Sequence, residues 1–317
     1  MNKTLIRTCV AALFVVAACT VTLHAQQVGY PALSQSTVII KGNSGAWDAN
    51  KVHTLSVVKA DRDGYKYWGY YGLAYYGGDP ALRKAGLVRS NDLVHWTKFK
   101  GNPIIGNDCR WPTVVLSHSV FYMFYEQYNA NNDSRIVMVT SKDGIHFGNK
   151  VVVVPLEIGM QNQNPFIYFD KRSKEFCLFY YNGIEKSSDS TSNYWSIMLR
   201  ESPKIDGLRD VNPSVLLFSR STLASPSVAL FNNRYYLLTE ARRIEGAGPN
   251  QYTWITTAYS SKQIDGAYSM VRNNPVLSNN DACAFQYVFG GQLYIFYSHC
   301  LNLPDWNWEL KMVKALR

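Results

Sequence analysis

Two glutamates occupy matching places in a repeated pattern of this 317-residue chain. Glu126 lies four residues after Tyr122, and Glu240 lies four residues after Tyr236, each inside an aromatic-rich run. A pair of carboxyl groups can hydrolyse a glycosidic bond when the groups stand roughly 5–5.5 Å apart for retention, or 6.5–9.5 Å for inversion. Whether the two glutamates can act together depends on the elements that carry them.

Those elements repeat along the chain, and the repeat indicates their structure. Residues 102–125 and 274–297 both begin with Asn-Pro and two aliphatic residues, pass through a polar stretch with Asp and Cys, and end in an apolar run, a short break and an aromatic run. Fainter copies begin at Pro165 and Pro226, and a longer one spans residues 52–72, which gives five units at about 58 residues. Such runs around a polar or Gly turn predict hairpins of buried strands.

A second element follows each hairpin. Residues 87–96 and 137–147 are close copies, and residues 196–208 and 256–268 are looser ones. Each has the pattern of a strand, a Ser/Asp turn that bonds its own backbone, and a short outer strand. Residues 309–316 supply the third strand of the last unit. The pattern predicts an all-β fold, a five-bladed β-propeller with four-stranded blades around a central funnel. A β-sandwich is the alternative, but it needs no repeat.

The propeller geometry places the two glutamates. Inner strands are predicted at residues 109–116, 163–169, 225–231 and 283–289. Inner strands begin at the funnel mouth and second strands return to it, so Glu126 of blade two and Glu240 of blade four would share that mouth. The equivalent places in the other blades hold Tyr71, Tyr180 and Ser298. Alternatively, either glutamate could form an ion pair with Arg135, Arg242 or Arg243.

The composition suits a large core and a single domain over residues 26–317, with 47% hydrophobic and 17% charged residues. The net charge of +9 falls to +7 without residues 1–25, which carry Lys3 and Arg7 and no acid. A modestly basic surface is compatible with an anionic polysaccharide. No nucleic-acid partner is predicted, since the chain has no dense Lys/Arg stripe and no reader motif. The composition does not predict an oligomeric state.

The first 25 residues have the pattern of a secretion signal. Lys3 and Arg7 precede an apolar run at residues 9–18, which is too short to span a membrane. Residues 23–25 resemble a signal-peptidase site, whereas residues 16–19 resemble a bacterial lipobox that would leave Cys19 lipidated. Both interpretations predict an exported protein, either periplasmic, extracellular or lipid-anchored at the envelope. A lipid anchor would be its contact with a membrane.

Four cysteines follow Cys19, namely Cys109, Cys177, Cys283 and Cys300. The sequence has no CxxC motif and no His/Cys cluster with metal-ligand spacing, so neither a metal nor a cofactor is predicted. The register of the last hairpin puts Cys283 nearly opposite Cys300. In an oxidising compartment this pair could form a disulfide; the alternative is a register shifted by one residue, which would turn one of the two side chains away.

Two short motifs carry a resemblance to a known group of enzymes. The turn SNDLVHW at residues 90–96, with NPII after it, resembles the outer-blade signature of five-bladed glycoside hydrolases of families 43 and 32 and of the related mannoside phosphorylases of family 130. The opening GAWDANKV, followed by YKYWGYYG, resembles their first blade. The resemblance covers roughly residues 40–316. It implies the propeller fold and an enzyme that hydrolyses a polysaccharide or oligosaccharide.

The resemblance also assigns roles to acids, and it shows which acids are missing. It implies Asp48 as the base or nucleophile, with Glu240 or Glu126 as the acid; a turn-capping role is the alternative for Asp48. The second blade of these enzymes carries an Asp beside its proline, but no carboxylate adjoins Pro112. In the third blade Gln163 replaces the usual Glu. The alternative function is therefore a non-catalytic carbohydrate-binding propeller.

Six further residues are predicted to contact the sugar: Arg110, Trp111, Gln163, Asn164, Arg242 and Asp281. Arg110 beside Trp111 would offer a guanidinium fork to hydroxyls or a carboxylate, and an indole face to a pyranose ring. The alternative is an Arg–Asp ion pair with the tryptophan packed between blades. For Asp281, near the mouth of the last blade, the alternative is a role in ordering its loop.

Overall fold

The chain forms a five-bladed β-propeller, which confirms the predicted fold class. A computed structural model describes residues 28–74, 79–129, 131, 133–184, 194–246, 252–302 and 305–316. The predicted secretion signal and Cys19 lie outside these residues. Five antiparallel sheets of four strands each surround one axis.

The strands follow the chain around the ring. Strand β1 (Thr37–Ile40) comes first. Blade one contains β2 (Val52–Arg62), β3 (Tyr65–Leu73), β4 (Gly86–Ser90) and β5 (Thr97–Lys98). Blade two contains β6 (Arg110–Ser117), β7 (Val120–Tyr128), β8 (Ser134–Ser141) and β9 (Gly148–Val154). Blade three contains β10 (Gln161–Asp170), β11 (Glu175–Ile184), β12 (Tyr194–Ser202) and β13 (Ser214–Ser219).

Blade four contains β14 (Ala224–Phe231), β15 (Arg234–Ile244), β16 (Tyr252–Ser261) and β17 (Ser269–Met270). Blade five contains β18 (Asp281–Phe289), β19 (Gln292–Asn302), β20 (Asn307–Lys314) and β1. Two short 3₁₀ helices span Pro80–Leu82 and Ile205–Arg209. Among the described residues, no helix has the length and apolar character needed to cross a membrane.

The inner strands β6, β10, β14 and β18 lie within two residues of their predicted bounds. Their runs are apolar on both faces because each inner hairpin is covered by neighbouring blades. The rings of Phe166 on β10 and Phe285 on β18 have centroids 5.3 Å apart, and the ring centroid of Tyr287, also on β18, lies 5.9 Å from that of Phe166. These contacts join the inner strands of blades three and five.

Every inner strand begins with the same backbone irregularity. One residue near its start has a left-handed φ between 48° and 50°, and the pairing with the second strand shifts register there. These residues are Thr54, Trp111, Asn164, Ser225 and Cys283. In blades two, three and four a proline comes next, and proline brings no N–H that the bulge would leave unpaired. The bulge therefore sets five matched positions around the mouth.

The asparagine of the repeated Asn-Pro motif has the same structural role in blades one and four. The side chain of Asn102 accepts a hydrogen bond from the Leu87 N–H and donates one to the Leu87 carbonyl oxygen. Asn274 makes the same two bonds with Ala258 in blade four. Each amide side chain thus pairs with the third strand of its blade as a further strand would.

The Ser/Asp turns also repeat, as the sequence predicts. Asp92 Oδ1 accepts hydrogen bonds from the Val94 and His95 N–H groups, and its Oδ2 lies 2.7 Å from His95 Nδ1. Asp143 makes the equivalent bonds with Ile145 and His146. The carboxylate fixes the bend between the third and fourth strands of blades one and two.

The ring is closed by strand β1, which the sequence pattern did not predict. Thr37 and Val38 pair with Met312 and Lys311 of β20, so an early strand completes the last blade. Ile40 is 5% exposed and packs among apolar residues of blades one and five. Blade five therefore contains both the first and the last strand.

The predicted disulfide between Cys283 and Cys300 is wrong. Asp281 pairs with His299, and the Cys300 N–H donates to the Asn280 carbonyl oxygen, so Cys300 lies opposite residue 280. The bulge at Cys283 displaces the register from the one the hairpin pattern predicts. The four cysteines within the described residues are free and buried.

Candidate functional site

A cavity of about 430 Å³ lies at the mouth of the funnel. Seven aromatic side chains line it: Trp111 and Tyr128 from blade two, Tyr181 and Trp195 from blade three, Tyr252 and Trp254 from blade four, and Trp306 from blade five. Its charged and amide side chains are Arg83, Arg110, Arg242, Glu240, Gln161, Gln163 and Asn164. Flat apolar faces interspersed with directional polar groups suit a ligand that is itself amphipathic.

The structure brings six of the predicted site residues to this cavity: Arg110, Trp111, Gln163, Asn164, Glu240 and Arg242. They come from the starts of inner strands and the ends of second strands. Their roles stay predictions, because no ligand is present. Glu126 lies behind the wall, and Asp48 and Asp281 lie elsewhere.

Glu240 is the one carboxylate among the described residues that line the cavity. It is 8% exposed, and its Oε2 accepts hydrogen bonds from Cys283 Sγ at 2.9 Å and Ser225 Oγ at 3.0 Å. Burial raises the pKa of Glu240 above its ordinary value, although both donors and the charge of Arg242 oppose the shift. A carboxyl group with a raised pKa holds its proton nearer neutral pH, which suits a general acid.

Glu126 is fully buried behind the cavity wall. Its Oε1 accepts a hydrogen bond from the Tyr128 hydroxyl at 2.6 Å, and its Oε2 accepts one from the Asn164 N–H at 2.7 Å. Its ion-pair partner is Arg110, with Nη1 3.4 Å from Oε1, rather than any of the arginines considered from the sequence. Burial raises the pKa of Glu126, and Arg110 lowers it in part.

Asn164 connects the two glutamates. Its N–H donates to Glu126, and its Oδ1 lies 3.2 Å from the Ser225 N–H and 3.3 Å from Ser225 Oγ. Ser225 Oγ also lies 3.0 Å from Glu240 Oε2, so its single hydrogen serves one of the two acceptors at a time. Asn164 thus orients Glu126 through its backbone N–H and Glu240 through its side chain and Ser225, and it transfers no proton itself.

The other amide has a different partner. Gln163 Oε1 accepts a hydrogen bond from the Tyr181 hydroxyl, with 2.9 Å between the oxygens, and Gln161 Oε1 lies 2.6 Å from the same hydroxyl. Gln163 therefore helps to orient an aromatic ring of the cavity wall. An amide at this position supplies hydrogen bonds to a ligand but cannot donate a proton in catalysis.

Two arginine–aromatic pairs form parts of the wall, one from blade two and one from blade four. The Arg110 guanidinium lies 4.0 Å from the centre of the Trp111 ring, and that of Arg242 lies 4.6 Å from the centre of Trp254. Stacking on a ring holds the planar guanidinium in place while its edge keeps its hydrogen-bond donors. The alternative considered for Arg110 was an ion pair with an aspartate; in the structure its ion pair is with Glu126.

His53 lies buried under Trp111. Its ring meets Trp111 and Trp308 edge-to-face, with centroids 5.0 Å and 4.7 Å away. Burial, with the nearby charge of Arg110, lowers the pKa of His53 well below its ordinary value. The imidazole is therefore neutral and supports the indole of the cavity wall from below.

Asp48 lies in a different and smaller pocket, outside the central cavity. Its Oδ2 forms an ion pair with Lys98 Nζ at 2.7 Å and accepts a hydrogen bond from the Tyr71 hydroxyl at 2.9 Å. Its turn depends on Gly42, where an added Cβ would lie 2.1 Å from the Asp48 carbonyl oxygen. The structure does not bring Asp48 together with Glu240, so a shared catalytic pair is not supported by the geometry.

Asp281 also lies away from the cavity. Its Oδ1 is 2.8 Å from His299 Nδ1, and its Oδ2 accepts a hydrogen bond from the Asn279 N–H. It lines a shallow pocket beside Ser278 and Tyr297. These contacts fit the loop-ordering alternative considered for this residue.

Sequence reasoning did not select Tyr128, Arg83, Trp195 or Trp254, which all line the cavity. Tyr128 ends a second strand, and Trp195 and Trp254 begin third strands. Antiparallel pairing brings both kinds of strand end to the mouth. Aromatic residues at the starts of third strands are therefore the sequence signal that could have identified Trp195 and Trp254. Among the described residues, no group of three or more His, Cys, Asp or Glu side chains is placed to hold a metal ion.

The fold is that of several solved carbohydrate-active proteins. An α-L-arabinofuranosidase from Podospora anserina in complex with cellotriose matches 92% of this chain and 98% of its own, with a TM-score of 0.65 and 12% identity. A thermostable family-43 glycoside hydrolase matches 83% and 88%, with a TM-score of 0.60 and 17% identity. No protein-family model and no curated protein matches the sequence.

A third similar structure has a different activity. An N-acetylgalactosamine deacetylase from F. plautii, in complex with a blood group B trisaccharide, matches 91% of this chain and 95% of its own, with a TM-score of 0.64 and 14% identity. At such identities these likenesses establish the propeller fold alone. One fold carries several chemistries, so function has to be argued from the side chains of the site.

Proposed function

We propose that the protein is a carbohydrate-active enzyme that holds a glycan in the central cavity and cleaves a glycosidic bond, with Glu240 as the proton donor. The observation that carries this proposal is the position of Glu240, a nearly buried carboxyl group among aromatic faces and arginines. Export through the predicted secretion signal would bring the protein to polysaccharides and oligosaccharides outside the cytoplasm.

The wall of the cavity supports sugar binding. Indole and phenol rings stack on the C–H faces of pyranose rings, while Arg110, Arg242 and Gln163 offer hydrogen bonds to hydroxyls. Among the described residues, three arginines line the cavity against one carboxylate, that of Glu240. Sugars that carry a carboxylate therefore belong in any substrate panel, beside the arabinosyl glycans suggested by the similar solved structures.

Glu240 suits the acid role by its surroundings. Burial favours its protonated form, and the Cys283 and Ser225 donors hold the carboxyl group in one orientation. Burial also keeps the Cys283 thiol protonated, because it raises the pKa of Cys283 well above the ordinary value. The acid can therefore keep its orientation before and after it gives up a proton.

A non-catalytic carbohydrate-binding propeller is the second candidate. The observation that favours it is the shortage of carboxylates: of the described residues lining the cavity, Glu240 alone is acidic, and Glu126 is enclosed by Tyr128, Asn164 and Arg110. Such a protein would bind glycans through the same aromatic wall and leave them intact.

The test compares the wild-type protein with Glu240→Gln on a panel of nitrophenyl glycosides and polysaccharides that includes arabinan, xylan and uronic-acid polymers. We expect turnover to fall about 10²- to 10⁴-fold, as is usual when a general acid is removed. Glycan affinity, measured by calorimetry, should stay within about threefold, since the amide keeps the shape of the acid. Release of reducing ends reports cleavage.

The matched control is Glu245→Gln, an exposed glutamate paired with Arg243 just beyond the same strand. It should leave turnover unchanged. Equal activity of Glu240→Gln and the wild type would refute the acid assignment. Binding without cleavage across the whole panel would establish the non-catalytic candidate instead.

A further inference from the structure

Tyr128 and Glu126 form a phenol–carboxylate pair at the cavity wall. The two residues lie two positions apart on β7, so their side chains leave the strand on the same face. The Tyr128 hydroxyl donates a 2.6 Å hydrogen bond to Glu126 Oε1. Glu126 is fully buried, whereas Tyr128 is partly exposed and lines the cavity. The phenol is therefore the member of the pair that a ligand can touch.

Two arginines contact Tyr128, one at the phenol oxygen and one over the ring. Arg110 Nη1 donates a hydrogen bond to it, and the Arg83 guanidinium lies 4.4 Å from the ring centre. Burial raises the pKa of Tyr128 well above its ordinary value, and the charge of Arg110 opposes that shift. Free phenolate is therefore rare in the resting protein, and ionisation requires a base in direct contact. Glu126 is in that position, and the same burial makes its carboxylate more basic.

We propose that Tyr128 is the nucleophile of the reaction and Glu126 is its base. This inference rests on the proposed function and adds to it the group that attacks the sugar. It also accounts for the missing acids: a phenol with a buried carboxylate behind it replaces the carboxylate that a two-acid mechanism would place in the cavity.

The steps balance. In the first, the Tyr128 oxygen bonds to the anomeric carbon as the glycosidic C–O bond breaks. The phenol proton moves to Glu126, and Glu240 gives its proton to the leaving oxygen. In the second step, water attacks the anomeric carbon, the C–O bond to Tyr128 breaks, and the water proton goes to Glu240. The Glu126 proton returns to the phenol oxygen, so the sum is hydrolysis with retained anomeric configuration.

Two variants and one control test the assignment, on whichever panel glycoside the wild-type protein cleaves fastest. Tyr128→Phe removes one oxygen, and we expect it to lower turnover by at least about 10³-fold while glycan affinity stays within about threefold. Glu126→Gln should lower turnover about 10²- to 10⁴-fold. Tyr122→Phe, which removes the same atom near the opposite end of β7, should match the wild type.

A covalent readout separates a nucleophile from a residue that only orients its neighbours. The wild-type protein is incubated with the 2-deoxy-2-fluoro glycosyl fluoride of the sugar it releases, and intact mass and peptide mapping locate the adduct. We expect one fluoroglycosyl group on Tyr128, and none on Tyr128→Phe. Proton NMR of the first product should show the anomeric configuration of the substrate.

The outcomes distinguish this inference from the proposed function. Cleavage with inversion, an adduct on another residue, or near-normal turnover of Tyr128→Phe would overturn the role of Tyr128 and leave the enzyme assignment standing. A wild-type protein that binds glycans and cleaves none of the panel would overturn both.

Discussion

At the scale of single residues, the buried polar groups around the axis form one connected set. Glu126 accepts from the Asn164 N–H, Asn164 Oδ1 accepts from the Ser225 N–H, and the Ser225 hydroxyl donates to Glu240, each over 3.2 Å or less. Satisfied polar networks of this kind restrict side chains to one arrangement, and an unsatisfied member would be costly. The network therefore holds the cavity wall in place before a ligand arrives.

The variant Asp48→Asn distinguishes a stabilising role of Asp48 from a catalytic one. Asp48→Asn removes the charge that pairs with Lys98, and since the aspartate side chain is 2% exposed, we expect a loss of about 1–3 kcal/mol in the free energy of unfolding. Urea denaturation measures it. Asp61→Asn, which removes an exposed partner of Lys59, should cost less than about 0.5 kcal/mol.

The structural interpretation of Asp48 also predicts its kinetics. Well below the denaturation midpoint, Asp48→Asn should keep turnover within about threefold of the wild type. A fall of 10²-fold or more with an unchanged midpoint would restore Asp48 to the role of catalytic base that the resemblance implies.

Glu201 makes stability depend on pH. Burial, followed by the charges of Asp265 and Glu175, raises its pKa to about 7 from an ordinary 4.5. For an acid this means that the ionised form destabilises the fold, so the penalty is present above pH 7 and disappears as the pH falls toward 4.5. Glu201→Gln should therefore raise the melting temperature at pH 8 and change it little at pH 4.5.

The control for this prediction is Glu157→Gln, which changes an exposed glutamate in the connection between blades two and three. It should leave the melting temperature unchanged at both pH values. A stabilising effect of Glu201→Gln that is equal at pH 4.5 and pH 8 would show that packing, rather than ionisation, causes it.

At the scale of elements, the repeated Asn-Pro phrase supports the third strands. Asn102→Ala removes two hydrogen bonds to Leu87, and we expect it to cost about 1–3 kcal/mol of unfolding free energy. Asn107→Ala, in the same connection but exposed, should cost less than about 0.5 kcal/mol. Equal effects of the two variants in urea denaturation would contradict the role assigned to Asn102.

The sequence predicts the hairpins well because their pattern is local. Alternating runs and turn residues, such as Asp92 and Asp143, determine strand and bend within ten residues. The cavity is less predictable, since Tyr128, Trp195 and Trp254 meet only after three blades have packed. Asp48 shows the opposite case: a short resemblance implies a catalytic role, whereas in the structure its side chain pairs with Lys98 in a pocket separate from the central cavity.

At the scale of the whole molecule, the ring depends on the strand that closes it. Ile40→Ala shortens a buried side chain of β1 between blades one and five, and we expect it to cost about 2–5 kcal/mol of unfolding free energy. Val38→Ala, on the same strand but 40% exposed, should cost less than about 1 kcal/mol. Urea denaturation followed by tryptophan fluorescence compares the two.

The closing strand also predicts how the molecule unfolds. Because blade five contains both ends of the described chain, loosening β1 releases the contact between the first and last blades together. The Ile40→Ala protein should still unfold in a single transition, at lower urea. A second transition, or equal midpoints for Ile40→Ala and Val38→Ala, would show that the ring does not depend on β1.

The five left-handed residues at the mouth have a consequence for how such a molecule can change. Threonine, tryptophan, asparagine, serine and cysteine occupy the same backbone geometry, with φ between 48° and 50° at each. The scaffold therefore accepts very different side chains at these places without altering its strands. One substitution per blade can exchange a hydroxyl for an indole or a thiol, so new chemistry at the mouth requires only new side chains at these positions and no change in the backbone.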